Sequence, residues 1–247
     1  MTAKDNQGFT PKDAVLTILI YALGIQLLIP VVLTSVFAFS NTTLLQTNMA
    51  AWEAKFLPTI QVLTFFLGTL WLALKYRHQL KMSMKKFMEN FSDNMILIVK
   101  YYFIAQLLSV LIGIFFSAVL KIEQSSENQQ AVESLIGQIP LMMAITTIIF
   151  APIIEELVFR GGLFLGIRKL VGELPATLIS SISFGAIHVI PQLSTKNPKE
   201  LFFIVPYALL GYFMVRSVQK TDSLMGGIVF LLLNNLVATL LIIFMPL

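Results

Sequence analysis

The feature that most constrains this chain is a series of apolar runs, several of them about 18 residues or longer, separated by short polar stretches. A helix rises 1.5 Å per residue, so a run of that length crosses the roughly 30 Å of a bilayer's hydrocarbon. The fraction of charged residues, 12%, is about half that of a soluble domain, and 57% of the residues are hydrophobic. The sequence therefore predicts an all-α fold, a polytopic bundle of transmembrane helices with the lipid bilayer as its surroundings.

Spans are expected at about Ala14 to Phe39, Leu57 to Leu74, Met95 to Leu120, Leu141 to Leu170 with an interruption, Leu174 to Ile190, Leu201 to Val215 and Leu224 to Met245. That is seven, with eight as the upper count. Residues 1–130 form an N-terminal three-span region and residues 131–247 a four-span core, parted by a polar, acidic outer loop from Glu123 to Glu133. Met1 to Asp13 is short and polar. The run after it is longer than a signal-peptide core, and Val36 and Ala38 make a poor cleavage site, so the segment reads as a retained anchor.

Charge sets the expected orientation. Lys4, Lys12, Lys75, Arg77, Lys81, Lys85, Lys86, Arg168, Lys169, Arg216 and Lys220 fall on one side, against Lys55, Lys121, Lys196 and Lys199 on the other. The positive-inside bias then gives a cell-membrane protein with a cytoplasmic N-terminus. The net charge of +4 comes from these loop residues, which argues against nucleic acid as a partner. The Met82 to Met88 stretch, with its lysines, reads as an amphipathic cytoplasmic segment resting on anionic headgroups. There is no cysteine, which excludes disulfides, a thiolate nucleophile and Cys-ligated zinc.

Ionisable groups in hydrocarbon cost about 2.5 to 3.5 kcal/mol each even on insertion scales, so they mark candidate sites. The segment APIIEELVFRGG places Glu155, Glu156 and Arg160 within two helical turns. Glu156 and Arg160, four apart, share a face as an ion pair, while Glu155 points about 100° away and is left free. In SISFGAIH, Phe184 and His188 share a face at the same spacing, and His188 is one of two histidines; the other, His78, lies in a basic loop. Two adjacent amides, Asn234 and Asn235, interrupt the last apolar run. Counted from the turn near Gly172, Glu155 stands about 17 residues, roughly 25 Å, into the membrane and His188 about 16 residues, roughly 24 Å. A carboxylate and an imidazole at one depth can share a water, the first taking its proton and the second orienting it or protonating a leaving amine.

At these residues the sequence resembles the CAAX-protease and bacteriocin-processing family, also called the abortive-infection family. Its E-E-x-x-x-R motif is matched by Glu155, Glu156 and Arg160, and its F-x-x-x-H motif by Phe184 and His188. The resemblance runs from about Ile139 to Leu236. It implies an intramembrane endopeptidase in which Glu155 activates water with the help of His188, while Glu156, Arg160, Phe184 and Asn234 support the site. A third family motif, H-x-x-x-N, supplies oxyanion donors; Asn235 fits its asparagine, but Leu231 stands at the histidine's position. Losing one such donor typically costs about a hundred- to a thousandfold in rate. The family is often labelled metalloprotease, so zinc is the cofactor the resemblance allows, with Glu155 and His188 as its ligands. No HExxH or third ligand is present, and a metal-free mechanism is favoured. Implied substrates are small peptides, prenylated or otherwise lipidated tails, or bacteriocin-type precursors.

Other readings stand beside this one. Glu156 with Arg160 suits a structural pair that locks the bundle. Asn234 and Asn235 suit interhelical glue, Phe184 suits packing that positions His188, and Gly161, Gly162, Gly226 and Gly227 suit close helix approach. Leu231 motivates a second functional class, an impaired family member acting as a scaffold, regulator or bacteriocin-immunity protein. A proton-coupled transporter using the same charges is a third, disfavoured by the order and spacing of the motifs.

Overall fold

A computed structural model describes residues 8–122, 125–190 and 198–245. The described chain is helical throughout apart from turns, with ten helices: α1 Pro11–Ser40, α2 Thr42–Thr47, α3 Met49–Lys75, α4 Arg77–Glu89, α5 Phe91–Leu120, α6 Glu127–Gln138, α7 Pro140–Val171, α8 Glu173–Val189, α9 Pro198–Thr221 and α10 Leu224–Phe244. Among them α1, α3, α5, α7, α9 and α10 are long and apolar enough to cross a membrane. At 17 residues, α8 is slightly shorter than a typical span. The expected membrane bundle is thus the observed fold. Lys4, Glu123 and Lys196 lie outside the described residues, as does most of the polar N-terminal segment.

Two expectations need correction. The acidic stretch after α5 is not simply a loop, because residues from Glu127 onward form α6. The run from Leu141 to Leu170, expected to carry an interruption, is one continuous helix, α7. Pro152 lacks an N–H, and the chain accommodates it by widening to π-type bonding over Thr146–Phe150; a second π-type stretch follows over Glu156–Leu165. The same device precedes Pro30, where Ile20–Leu28 is π-helical and the N–H of Ile29 reaches back to the Gly24 carbonyl.

The core crosses both halves of the chain, joining Ile25, Leu72, Tyr102, Leu157, Phe164, Phe184 and Phe230. Outside it lies a lipid-facing belt of exposed apolar side chains such as Phe103, Leu107 and Leu141. Burial between helices depends on small residues, because apolar side chains gain nothing by leaving lipid for protein. A Cβ on Gly185 would come within 2.7 Å of the Ile204 carbonyl oxygen, and one on Gly211 within 2.9 Å of the Ser181 Cα, so α8 and α9 meet backbone to backbone. Gly162 likewise has no room for a Cβ beside the Thr17 hydroxyl of α1, nor Gly227 beside the Glu156 carboxylate.

The amphipathic segment occupies α4. Its inner face is docked, not free: the Ser223 hydroxyl donates to the Ser83 carbonyl at 2.7 Å, and Lys86 pairs with Asp222 at 3.0 Å. Met84 and Met88 remain on its exposed side. Beside it, the Tyr76 hydroxyl donates to Asp13 at 3.0 Å, and burial with that acidic neighbour pushes its pKa up.

Candidate active site

A cavity of about 230 Å³ opens inside the bundle. Its walls carry Glu155 from α7, Phe184 and His188 from α8, Tyr207 from α9, and Leu231, Asn234 and Asn235 from α10. Gln61 of α3, Asn128 and Gln129 of α6, Thr146 and Thr147 of α7, and Thr239 of α10 complete its polar lining. The residues reached from sequence by helical spacing and depth therefore converge on one space, with Glu156 and Arg160 set behind it.

Glu156 and Arg160 have no exposed surface. The Arg160 Nη1 lies 2.8 Å from Glu156 Oε1, while Nη2 donates to the Gly211 carbonyl at 3.1 Å, tying α7 to α9. The guanidinium carbon also sits 4.5 Å from the centroid of the Phe184 ring, close enough for a cation–π contact. Glu155, one residue earlier, turns to the cavity, and its carboxylate has no hydrogen-bond or ion-pair partner among the described residues. Adjacent glutamates are thus sorted by the helical turn, one paired in the core and one facing open space.

His188 is fixed on three sides. Its Nδ1 lies 2.7 Å from the carbonyl oxygen of Phe184, which can only accept, so Nδ1 carries the proton. In the neutral ring Nε2 is then an acceptor. One face meets the Phe184 ring at 4.6 Å, tilted by 48°, and the ring stacks on Tyr207 at 4.6 Å and 19°. Phe184 is in turn packed edge-on against Phe159 at 5.6 Å.

The amides form a relay across three helices. Gln106 Nε2 of α5 donates to Asn234 Oδ1 at 2.8 Å, Asn234 Nδ2 donates to Asn235 Oδ1 at 3.1 Å, and Asn235 Nδ2 donates to the Thr147 carbonyl at 2.8 Å. The last bond follows from the π-type register of α7. The N–H of Ala151 bonds to Thr146, and Pro152 has no N–H to give, so Thr147 loses both main-chain donors that could reach it. An unmet carbonyl in hydrocarbon costs several kcal/mol, and the Asn235 side chain meets it. Each amide keeps a second N–H beyond this relay. Asn234 and Asn235, about 100° apart on an ideal helix, both line the cavity.

Sequence reasoning did not single out Tyr207, Gln106, Gln61 or Thr147. A lone Tyr or Gln in an apolar helix carries no spacing signal, and Thr147 gains its place only through the altered helical register. A cue did exist for α6, because Ser126 and Gln129 stand in the S-x-x-Q order of a helix start. The Ser126 hydroxyl indeed accepts from the N–H of Gln129 at 3.2 Å.

A catalytic zinc ion takes three protein ligands. Among the described residues no group of three His, Cys, Asp or Glu could hold a metal ion, and the cavity offers only Glu155 and His188. The donor set does not fit zinc.

Residues 137–237 match the family described as type II CAAX prenyl endopeptidase Rce1-like. The chain is also 39% identical over 70 residues to a Bacillus subtilis (strain 168) protein named "Putative membrane peptidase YdiL". That similarity spans 28% of this chain and 28% of the relative's length. No solved structure matches the chain.

Proposed function

We propose that this chain, whose residues 137–237 match the Rce1-like family, is an intramembrane endopeptidase of the CAAX-protease and bacteriocin-processing type acting without a metal. The observation that carries this reading is the unpaired Glu155 carboxylate sharing a buried cavity with the tautomer-fixed His188. A water in that cavity gives a proton to Glu155 as its oxygen attacks the peptide carbonyl carbon. The Nε2 of His188 accepts the water's other hydrogen and aims its lone pair. The oxyanion takes the spare N–H of Asn235, and that of Asn234 supplements it. As the intermediate collapses, protonated Glu155 passes its proton to the leaving nitrogen, the C–N bond breaks, and a carboxylic acid and an amine remain; the acid then gives its proton to the amine, leaving a carboxylate and an ammonium group. Substrates are short peptides, including lipidated or bacteriocin-type precursors, presented at the bilayer.

Comparing peptides in the membrane and medium of cells making the wild type or Glu155→Ala tests this directly. A product formed by the wild type and lost in the variant, at equal protein levels, is the expected result. Identical peptide profiles would sink the protease reading. A second reading has one specific observation in its favour: Leu231, only 3% exposed, occupies the cavity wall where the family places a histidine donor. Under it the chain is a scaffold or immunity protein, and Glu155→Ala leaves the cellular phenotype intact.

A further inference from the structure

Tyr207 lies outside every motif of the sequence, yet it makes the closest-to-parallel ring contact with the site histidine. Its ring stacks on His188 at 4.6 Å between centroids and 19° between planes. Its hydroxyl sits 2.9 Å from Ser126 Oγ and receives the Asn128 Nδ2 at 3.2 Å. Ser126 is the residue that caps α6, and Asn128 is in the first turn of that helix. The half-buried phenol is therefore held at both ends, by α9 through its backbone and by α6 through its oxygen.

We infer that Tyr207 is the positioning residue for His188, and that Ser126 and Asn128 act on the site through it. This assignment rests on the endopeptidase reading for its catalytic consequence, but its geometric content stands apart. The Nδ1 bond to Phe184 fixes one edge of the imidazole and still permits the ring to rock about that bond. Phe184, tilted by 48°, does not close that motion. The near-parallel Tyr207 ring does, and it has little freedom of its own because two hydrogen bonds hold its oxygen. Nε2 is thereby kept aimed into the cavity that Glu155 shares. A 1 Å misplacement of a catalytic group can cost about a hundredfold, so the stack and its anchor both carry weight.

The chain has two histidines, and His78 is exposed in α4, far in role from the cavity. In a His78→Gln background, ¹⁵N- and ¹³C-histidine labelling in nanodiscs therefore reports His188 alone. The ring protons of His188 are expected to be shifted upfield by the Tyr207 ring current, with a single Nδ1–H tautomer. Tyr207→Leu removes the shift and gives averaged signals from a mobile ring. Tyr207→Phe and the pair Ser126→Ala with Asn128→Ala keep the shift with increased ring motion. In the cleavage assay the expected losses are about a hundredfold in kcat for Tyr207→Leu and about tenfold for Tyr207→Phe, with KM changed less than about threefold. Unchanged His188 signals in a folded Tyr207→Leu protein would overturn the assignment. A wild type without any activity sensitive to Glu155→Ala would instead remove the protease reading, leaving the spectra to decide the positioning role by themselves. A purely structural Tyr207 would lower the melting temperature of Tyr207→Phe while His188 kept its wild-type spectrum, which also overturns the proposal.

Discussion

Arg160 is a guanidinium with no exposed surface in a bundle bathed by lipid, held by one carboxylate, one carbonyl and one aromatic face. Such pairs contribute little net stability when intact, but breaking one strands a charge at a cost of about 3 to 5 kcal/mol. Arg160→Ala is accordingly expected to lower the thermal midpoint in detergent sharply, whereas replacing both partners by apolar residues of similar volume recovers most of the loss. A single variant that melts within about 1 kcal/mol of the wild type would show that the pair is not the lock it is taken for here. Leu231 poses the opposite question, a missing polar group. It lies one helical turn before Asn235 and lines the same cavity. Leu231→His is expected to raise kcat about ten- to a hundredfold, somewhat below the loss seen when one oxyanion donor is removed, because the new ring also needs a buried partner. A folded Leu231→His protein with unchanged kcat would remove oxyanion stabilisation from that position. The charged and amide residues were legible in sequence because a polar group in an apolar run is conspicuous and helical spacing assigns it a face. Tyr207 was not, since an aromatic in such a run looks like packing until its hydroxyl is seen to reach another helix.

Individual helices follow from sequence to different degrees. The long apolar ones were evident from run length, whereas α6 was hidden by its polarity: it is a 12-residue helix that lines the cavity with Asn128 and Gln129 and is too short to span a bilayer, so it needs no apolar run. The π-type bonds of α7 before Pro152 were signalled only by that proline. Their consequence, a Thr147 carbonyl that recruits Asn235, depends on which hydrogen bond the chain chooses and cannot be counted off a sequence. Glycines give the clearest test at this scale. Gly162 of α7 abuts the Thr17 hydroxyl of α1, so Gly162→Ala must push the two helices apart. The expected cost is about 1 to 3 kcal/mol, as for other overpacked sites. Gly113 of α5 has no neighbour within 4 Å of an added Cβ, so Gly113→Ala is expected to be neutral or to stabilise by up to about 1 kcal/mol through helix propensity. Thermal melts of the two variants side by side check the contrast; equal midpoints would mean that α1 and α7 do not pack as described.

For the whole molecule the open variable is orientation, and the fold makes it measurable. The helix α5 is 30 residues long, about 45 Å, enough to carry the chain across the bilayer once. It therefore separates the basic α4 from the acidic start of α6, which must face opposite compartments. The positive-inside rule predicts a cytoplasmic α4, and with it a cytoplasmic Arg168 and Lys169 end of α7. Under that orientation the cavity lined by α6 is expected toward the outer face, with peptide reaching Glu155 from there. Because the chain has no cysteine, a single introduced one reports its own side without background. Lys85→Cys, exposed on α4, is expected to react with a membrane-impermeant maleimide only after cells are permeabilised, and Gln130→Cys, exposed on α6, in intact cells. The reverse pattern would invert the protein and move substrate entry to the cytoplasm. Labelling of both from the same side would mean that α5 does not cross, and the lipid belt drawn around this bundle would have to be redrawn with it.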